Sequence, residues 1–506
     1  MLEESHTLLR YHPPICHLFP SLPSLLLFDS AEAVEFLNPW VIVDALRTVW
    51  QRNDISPRSH YELDRLVCSL RANSVFHPHL FYPDGFGNAR RAAVATSACQ
   101  AIIIGVRSDD AGIRAAAAPA RISVKLTSSS FGSPDAHVAE GSFAAPAAMT
   151  LPSVAGEARF QLITPLDTAK RAATGFAVAV LLPGTGEQGF SRRRNLVAYP
   201  LAKRGIASVI LEGPFYGTRR PASMHGSKLR ELSDLPVLGY GTIDEARSIV
   251  GWLRSRDAGS ATCLVTALPR ASYPFAELFE EGGGSEATEK AHKAVVLTGT
   301  SMGGLHAAMA ASMMPQEWGD NIGVAAWLCP TSGVGVFLAG ALAASVDWQA
   351  LARDAQPDAP SARALAGALG SIDATIAATA LSRLPDTVIV DQLARLVPGV
   401  PRPALARAMT AAARLLRCTD ITNFPPPMRS DAVVFVAAEH DAYVPLDDDA
   451  RRMWTQLEKA WPGASVKIMP CGHVSGAMFN TDAYVDVVCD VARRARAVPE
   501  AYNRDA

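Results

Sequence analysis

The stretch VVLTGTSMGGLHAAMAA, residues 295–311, decides the fold class. A short apolar run ends at Ser301, which stands between Gly299 and Gly303, and small residues that suit a closely packed helix follow. This G-x-S-x-G pattern is typical of a nucleophile elbow, a sharp strand-to-helix turn that exposes the serine hydroxyl. A glycine-rich turn without chemistry has the same pattern, so the elements around it have to separate the two interpretations.

Short apolar runs alternate with helical patterns on both sides of this stretch. We expect helices at 195–204 and 245–254. Continuous apolar strands that alternate with helices indicate an α/β fold, with a mostly parallel sheet flanked by helices on both faces. The strands are expected at 158–164, 176–182, 207–211, 294–297, 324–328, 432–438 and 465–469.

Two insertions and a long extension accompany this core, which we expect at 151–346 and 425–506. The Gly-, Ser-, Ala- and Glu-rich residues 255–292 indicate a surface loop, and residues 347–424 indicate a helical cap over the carboxyl edge of the sheet. Residues 1–150 form an N-terminal extension, with a helical pattern at 32–51, an apolar segment at 92–106 and loop or irregular strand at 108–152.

Composition and charge exclude several classes of protein. A formal net charge of -2 over 506 residues gives no electrostatic reason to expect a nucleic-acid partner. Eight cysteines without a CxxC pair argue against a zinc site and favour a reducing, intracellular compartment, either cytoplasmic or mitochondrial. No apolar run reaches the length of about 18–20 residues that a membrane span needs, and the start lacks the features of a signal peptide.

A serine nucleophile needs a histidine base, and the base needs an acid that orients it. In folds with this elbow the chain order is serine, acid, histidine. VVFVAAEHDAYVP, residues 433–445, offers Asp441 and Glu439 after a strand, and we prefer Asp441 because the strand has clearly ended there. KIMPCGHVSG, residues 467–476, places His473 after the last strand. A solvated loop acid and a surface histidine are the alternatives without chemistry.

The tetrahedral intermediate of acyl transfer needs two backbone N–H donors. We expect one from Met302 and the other from the loop Gly184-Thr185-Gly186, with Thr185 preferred and Gly186 next. A phosphate-binding loop is the alternative, but the pattern G-x-x-x-x-G-K-[ST] is absent. The arginines at 192–194 are expected to lie on a solvated helix face, or else to contact an anionic group of a substrate.

Several ordered blocks resemble the family of α/β-hydrolase domain-containing protein 18, over about residues 155–490 without the two insertions. The similar blocks are ARFQLITP (158–165), GTGEQGFSRRRNLVAYP (184–200), LEGPFYGTRRP (211–221), GTSMGGLHAA (299–308), SGVGVFLAGALAASVDW (332–348), DITNFPPP (420–427), AAEHDAYVP (437–445) and WPGASVKIMPCGHVSGAMF (461–479). The chain departs from the family pattern at Cys471, where the family usually has glycine, and at Glu187 in the Gly-Thr-Gly loop.

The resemblance implies an α/β-hydrolase fold and serine hydrolase chemistry on a carboxylic ester. A lipid ester is the implied substrate, for example a phospholipid such as cardiolipin, and a peripheral contact with a membrane would accompany it. No metal or organic cofactor is required for this chemistry. Two alternatives stay open: an acyltransferase that uses the same acyl-enzyme, and a catalytically silent binding or scaffold protein with the same fold.

Overall fold

A single mixed sheet of nine strands runs through the computed structural model. The structure describes residues 56–72, 80–129, 133–224, 226–254, 294–376, 387–397 and 399–497. The helix expected at 32–51 and the surface loop expected at 255–292 lie outside these residues.

The strand order in the sheet is β1-β2-β3-β5-β4-β6-β7-β8-β9. The six strands from β5 to β9 in this order pair in parallel, while β1, β2 and β3 are antiparallel to their neighbours. The expected mostly parallel sheet is therefore confirmed. The strands are β1 (Lys125–Ser128), β2 (Ala136–Ala144), β3 (Glu157–Pro165), β4 (Val178–Leu182), β5 (Ala207–Leu211), β6 (Val295–Thr300), β7 (Ile322–Trp327), β8 (Val433–Ala438) and β9 (Ser465–Met469).

Helices cover both faces of the sheet, and each face has its own apolar core. Alternate residues of β4 show this: Val180 packs in one buried cluster, whereas Ala179 and Leu181 pack in the other. Because side chains alternate across a strand, a strand buried on both faces has to be apolar at every position, and β4, β5, β7 and β8 are buried throughout.

The helices complete the two outer layers. They are α1 (Pro57–Ala72), α2 (Ala89–Gly105), α3 (Ala111–Ala117), α4 (Thr168–Ala173), α5 (Ser191–Arg193), α6 (Tyr199–Lys203), α7 (Asp234–Arg254), α8 (Met302–Ser312), α9 (Trp348–Asp354), α10 (Ala362–Ile376), α11 (Thr387–Leu396), α12 (Arg402–Leu416), α13 (Asp448–Ala460), α14 (His473–Met478) and α15 (Thr481–Arg496). A π-helical segment, Arg194–Ala198, joins α5 to α6.

The N-terminal part of the described chain contributes more regular structure than its sequence suggested. The apolar segment at 92–106 lies in α2, and the segment expected as loop or irregular strand contains α3, β1 and β2. The expected start of the core at residue 151 falls between β2 and β3, so two strands of the sheet come from the N-terminal extension.

The insertion between β7 and β8 is helical, as its composition suggested. It contains α9, α10, α11 and α12, and α10 packs against α2 of the N-terminal part. Leu365, Leu369 and Ile372 form the buried side of α10, at the three- and four-residue spacing of one helix face.

A buried ion pair joins the turn after β5 to α7. The guanidinium of Arg219 donates two hydrogen bonds to the carboxylate of Glu245, at 2.9 Å and 2.5 Å. Arg219 also donates to the carbonyl oxygens of Glu212 and Ala155. The two charged side chains are 1% and 0% exposed, so each depends on the other for its counter-charge.

We expect Glu245→Ala to lower the free energy of unfolding by about 3–5 kcal/mol, because the substitution leaves a buried guanidinium without its carboxylate. Urea denaturation measures the loss. Glu157→Ala is the matched control, since the Glu157–Arg159 pair is about half exposed and its removal should cost less than about 1 kcal/mol. Equal small losses in both variants would contradict this role of Glu245.

Candidate active site

Four of the parallel strands end where the sequence places its candidate residues. Thr185 follows β4, Ser301 follows β6, Asp441 follows β8 and His473 follows β9. Because parallel strands have their carboxyl ends at the same edge of the sheet, these residues lie at one edge. Ligand and catalytic sites of open α/β sheets form at this edge.

Ser301 has a backbone conformation that non-glycine residues rarely adopt. Its φ is 57° and its ψ is -124°, at the junction of β6 and α8. The Ser301 N–H donates to the carbonyl of Trp327 in β7 at 2.8 Å, and the Ser301 carbonyl accepts from the N–H of Gly304 at 2.9 Å. These bonds hold the sharp turn, and the half-buried serine stands at the N-terminus of α8, as an elbow requires.

The glycines around Ser301 permit a close approach of α8 to the sheet. A Cβ atom on Gly303 would lie 2.5 Å from the carbonyl oxygen of Leu182, and one on Gly299 would lie 2.6 Å from the carbonyl carbon of Gly303. Both distances are shorter than any van der Waals contact. The glycine spacing in the sequence is therefore explained by packing, and the positive φ falls on the serine between them.

His473 and Asp441 are joined by a short hydrogen bond. The distance from Nδ1 of His473 to Oδ2 of Asp441 is 2.7 Å, and the side chains are 13% and 1% exposed. The other carboxylate oxygen of Asp441 accepts from the N–H groups of Tyr443 and Val444, both at 2.8 Å. A carboxylate only accepts, so Nδ1 carries the hydrogen, and in the neutral imidazole Nε2 is then the acceptor.

The surroundings of His473 favour its charged form. Burial, the largest single effect, acts against the imidazolium, but the charge and the hydrogen bond of Asp441 favour it, and the pKa of His473 is on balance raised above its usual value of 6.5. The negative charge of Asp64 adds to the increase, and the positive charge of Arg192 opposes it. The ring of Tyr443 stacks on the imidazole with 5.1 Å between ring centroids.

Glu439, the reserve acid, is directed elsewhere. Its Oε2 lies 3.9 Å from Nε2 of His440, and its N–H donates to the carbonyl of Met469 in β9. The structure thus brings Asp441, rather than Glu439, to His473.

The Gly184-Thr185-Gly186 loop, which we call the Gly-Thr-Gly loop, forms a tight turn beside α8. Gly186 has a φ of 73°, and the turn is closed by a bond from the Glu187 N–H to the Gly184 carbonyl. The Thr185 hydroxyl lies 3.5 Å from Sδ of Met302, which places the loop next to the first residue of α8. Neither the Thr185 nor the Met302 N–H group is engaged by another of the described residues.

The arginines at 192–194 were expected on a solvated helix face, and this expectation is wrong for Arg193. It is 6% exposed, and its Nη1 donates to the carbonyls of Leu181 and Leu211 at the ends of β4 and β5. Its Nε lies 3.2 Å from the carboxylate of Glu187, which itself accepts from the N–H of Gly184 at 3.1 Å. Arg193 therefore fixes the Gly-Thr-Gly loop to the sheet.

Asp64 is a buried residue of this site that sequence reasoning missed. Its carboxylate accepts from the N–H groups of His473, Val474 and Ala442. Burial and the nearby charge of Asp441 raise the pKa of Asp64 to about 6. The local sequence around Asp64 does not indicate that its carboxylate binds these backbone groups, because they lie far along the chain.

Within the described residues, no group of three or more His, Cys, Asp and Glu side chains is arranged to hold a metal ion. Among the same residues, no helix combines the length and the apolar character that a membrane crossing requires.

The chain is similar to one protein family and to several solved structures. The family model described as alpha/beta hydrolase domain containing 18 matches residues 110–266 and 287–494, well over half of the chain. Acetyl xylan esterase 1 from Thermoanaerobacterium sp. JW/SL YS485 is 13% identical, with a TM-score of 0.37 over 82% of this chain and 96% of that chain. The cell wall degrading esterase LipA from Xanthomonas oryzae is 13% identical, with a TM-score of 0.38 over 73% and 97%. The chain has the α/β-hydrolase fold and belongs to the alpha/beta hydrolase domain containing 18 family.

Proposed function

We propose that this protein is a serine hydrolase that cleaves a carboxylic ester through an acyl-enzyme. The observation that carries the proposal is the 2.7 Å bond between His473 and Asp441, at the same sheet edge as a serine in an elbow conformation. Membership of an α/β-hydrolase family supports hydrolase chemistry in general. The ester specificity and the roles of the residues are the proposal.

In the proposed mechanism Ser301 is the nucleophile. Its Oγ attacks the acyl carbonyl carbon while Nε2 of His473 takes the hydroxyl proton. Asp441 orients the imidazole and stabilises the imidazolium. The N–H groups of Met302 and Thr185, with Gly186 as the second choice in the loop, donate to the oxyanion. His473 returns the proton to the leaving alcohol, and a water molecule then releases the acid from Ser301.

An apolar acyl chain is the part of the substrate for which the structure gives support. The helical insertion between β7 and β8 is rich in alanine and leucine, and the segment that leads into it buries Val336, Phe337 and Leu338. Arg192, whose charge acts on His473, could contact an anionic group beyond the ester. We therefore propose a lipid or phospholipid acyl ester, which would involve peripheral contact with a membrane.

Fluorophosphonate labelling tests the nucleophile. We expect the wild-type chain to be labelled and Ser301→Ala to be unlabelled, because only a serine activated by a base reacts with this probe. Ser371→Ala, at an exposed serine of α10, is the matched control and should label as the wild type does. A folded wild-type chain that takes up no label would favour the silent scaffold instead.

The acid is tested by Asp441→Asn, with Glu439→Gln as the control. Loss of Asp441 should reduce kcat for a p-nitrophenyl ester about 10⁴-fold, the size of the effect of the equivalent change in serine proteases. Because Asp441 raises the pKa of His473, its removal should move the acid limb of the pH–rate profile to lower pH. Glu439→Gln should leave both rate and profile unchanged, and the reverse pattern would identify Glu439 as the acid.

The acyl preference is tested with p-nitrophenyl esters from acetate to decanoate. If the acyl chain of the ester enters an apolar pocket, kcat/KM should rise with acyl-chain length by up to about fourfold per buried methylene, which corresponds to about 0.8 kcal/mol. A kcat/KM that falls as the acyl group becomes longer than acetate would contradict a lipid acyl substrate. Release of more than one p-nitrophenol per chain only when a second alcohol is supplied as acyl acceptor would identify an acyltransferase.

A further inference from the structure

We propose that Asp64 is a positioning residue for the reaction: its carboxylate holds the loops that carry Asp441 and His473 in one fixed arrangement. The inference rests on the proposed function. Asp64 lies in α1, before residue 110, where the match to the family begins. It touches neither the nucleophile nor the oxyanion donors, and it acts through the acid and the base.

One carboxylate group joins both catalytic loops through backbone bonds. Oδ2 of Asp64 accepts from the N–H of His473 at 2.8 Å and from the N–H of Ala442 at 3.0 Å. Oδ1 accepts from the N–H of Val474 at 2.8 Å. Ala442 directly follows Asp441, so a displacement of Asp64 would move the acid and the base relative to each other.

The same carboxylate replaces a missing helix cap. α14 begins at His473, and its N-cap residue Gly472 has no side chain that could accept from the first N–H groups. A Cβ atom at Gly472 would lie 3.1 Å from both carboxylate oxygens of Asp64. Glycine therefore permits α1 to approach, and Asp64 supplies from α1 the acceptor that a Ser, Thr or Asp would supply locally.

The face of α1 that carries Asp64 is built into its surroundings. His60, four residues earlier, has its Nδ1 2.9 Å from the hydroxyl of Ser475, and that hydroxyl accepts from the N–H of Gly472. Cys68, four residues later, donates from Sγ to the carbonyl of Ala341 at 3.3 Å. Residues spaced by four lie on one helix face, so this face of α1 contacts the loops that carry Asp441 and His473 at two successive turns and the segment after β7 at the third.

The charge of Asp64 also acts on the base. Two carboxylates, Asp441 and Asp64, stabilise the imidazolium of His473 that forms when Ser301 is deprotonated. Arg192 opposes this effect. Among the described residues, the other titratable groups that face the pair are His60, Cys471, Tyr443, whose ring stacks on His473, and His440, which stacks on His60. Because its pKa is about 6, Asp64 is ionised above that pH and is neutralised as the pH falls through it.

The experiment compares Asp64→Asn with the wild type and with Glu62→Gln, a half-buried carboxylate of the same helix that is paired with Arg58. We measure the rate of fluorophosphonate labelling of Ser301 against pH, the fraction of chains labelled at completion, and kcat and KM for a p-nitrophenyl ester. Asp64→Asn should lower the labelling rate and kcat about 10²-fold, the size of effect that a small misplacement of catalytic groups produces, with little change in KM. The midpoint of the pH dependence of the labelling rate should move to lower pH, because a negative charge near His473 is lost.

The labelling results separate a positioning role of Asp64 from a role in folding alone. If fewer Asp64→Asn chains are labelled, but those chains have the wild-type labelling rate and pH midpoint, the proposal is overturned. It is also overturned if Asp64→Asn is fully labelled with the wild-type rate and midpoint. Asp64→Glu keeps the charge but moves the carboxylate, so its labelling rate should fall while the pH midpoint of labelling stays at the wild-type value. This variant decides the question if Asp64→Asn does not fold. A wild-type labelling rate in Asp64→Glu would overturn the proposal. Absence of labelling in the wild type would instead reject the proposed function.

Discussion

The close contact between α8 and the neighbouring strands is the constraint on which the rest of the site depends. A Cβ atom on Gly304 would lie 2.9 Å from the carbonyl oxygen of Gly299, and one on Gly303 would collide with the carbonyl of Leu182. Because the helix starts so close to the sheet, the chain has to reverse direction within one residue, and Ser301 takes the positive φ. The same approach brings Met302 beside Thr185, so the turn at Ser301 and the Gly-Thr-Gly loop belong to one packing arrangement.

Buried charges bonded to backbone groups fix the loops at this edge. Arg193 donates to strand-end carbonyls and pairs with Glu187, whereas Asp441 and Asp64 accept from backbone N–H groups. Charge-assisted hydrogen bonds offset the cost of burying these groups. Loops that have no regular secondary structure of their own are thereby held in place, and preorganisation of this kind is what stabilisation of a developing oxyanion requires.

Much of this arrangement could be predicted from local sequence, because strands buried on both faces are continuous apolar runs and candidate residues follow their ends. β1 and β2 were missed because β1 has four residues and β2 contains Ala, Gly and Ser without a clear alternation. Arg193 was misread because a run of arginines usually lies in solvent. Asp64 could not be predicted, since it binds His473 across 409 positions of the chain, and only tertiary packing brings α1 to that loop.

The most direct test of the central claim is to locate the adduct of a fluorophosphonate by mass spectrometry of the intact chain and of its peptides. We expect one adduct per chain, on the peptide that contains Ser301, and a strongly reduced rate of formation in His473→Ala, because the serine depends on the imidazole as its base. An adduct on another residue, an equal rate in His473→Ala, or no adduct on a folded chain would contradict it.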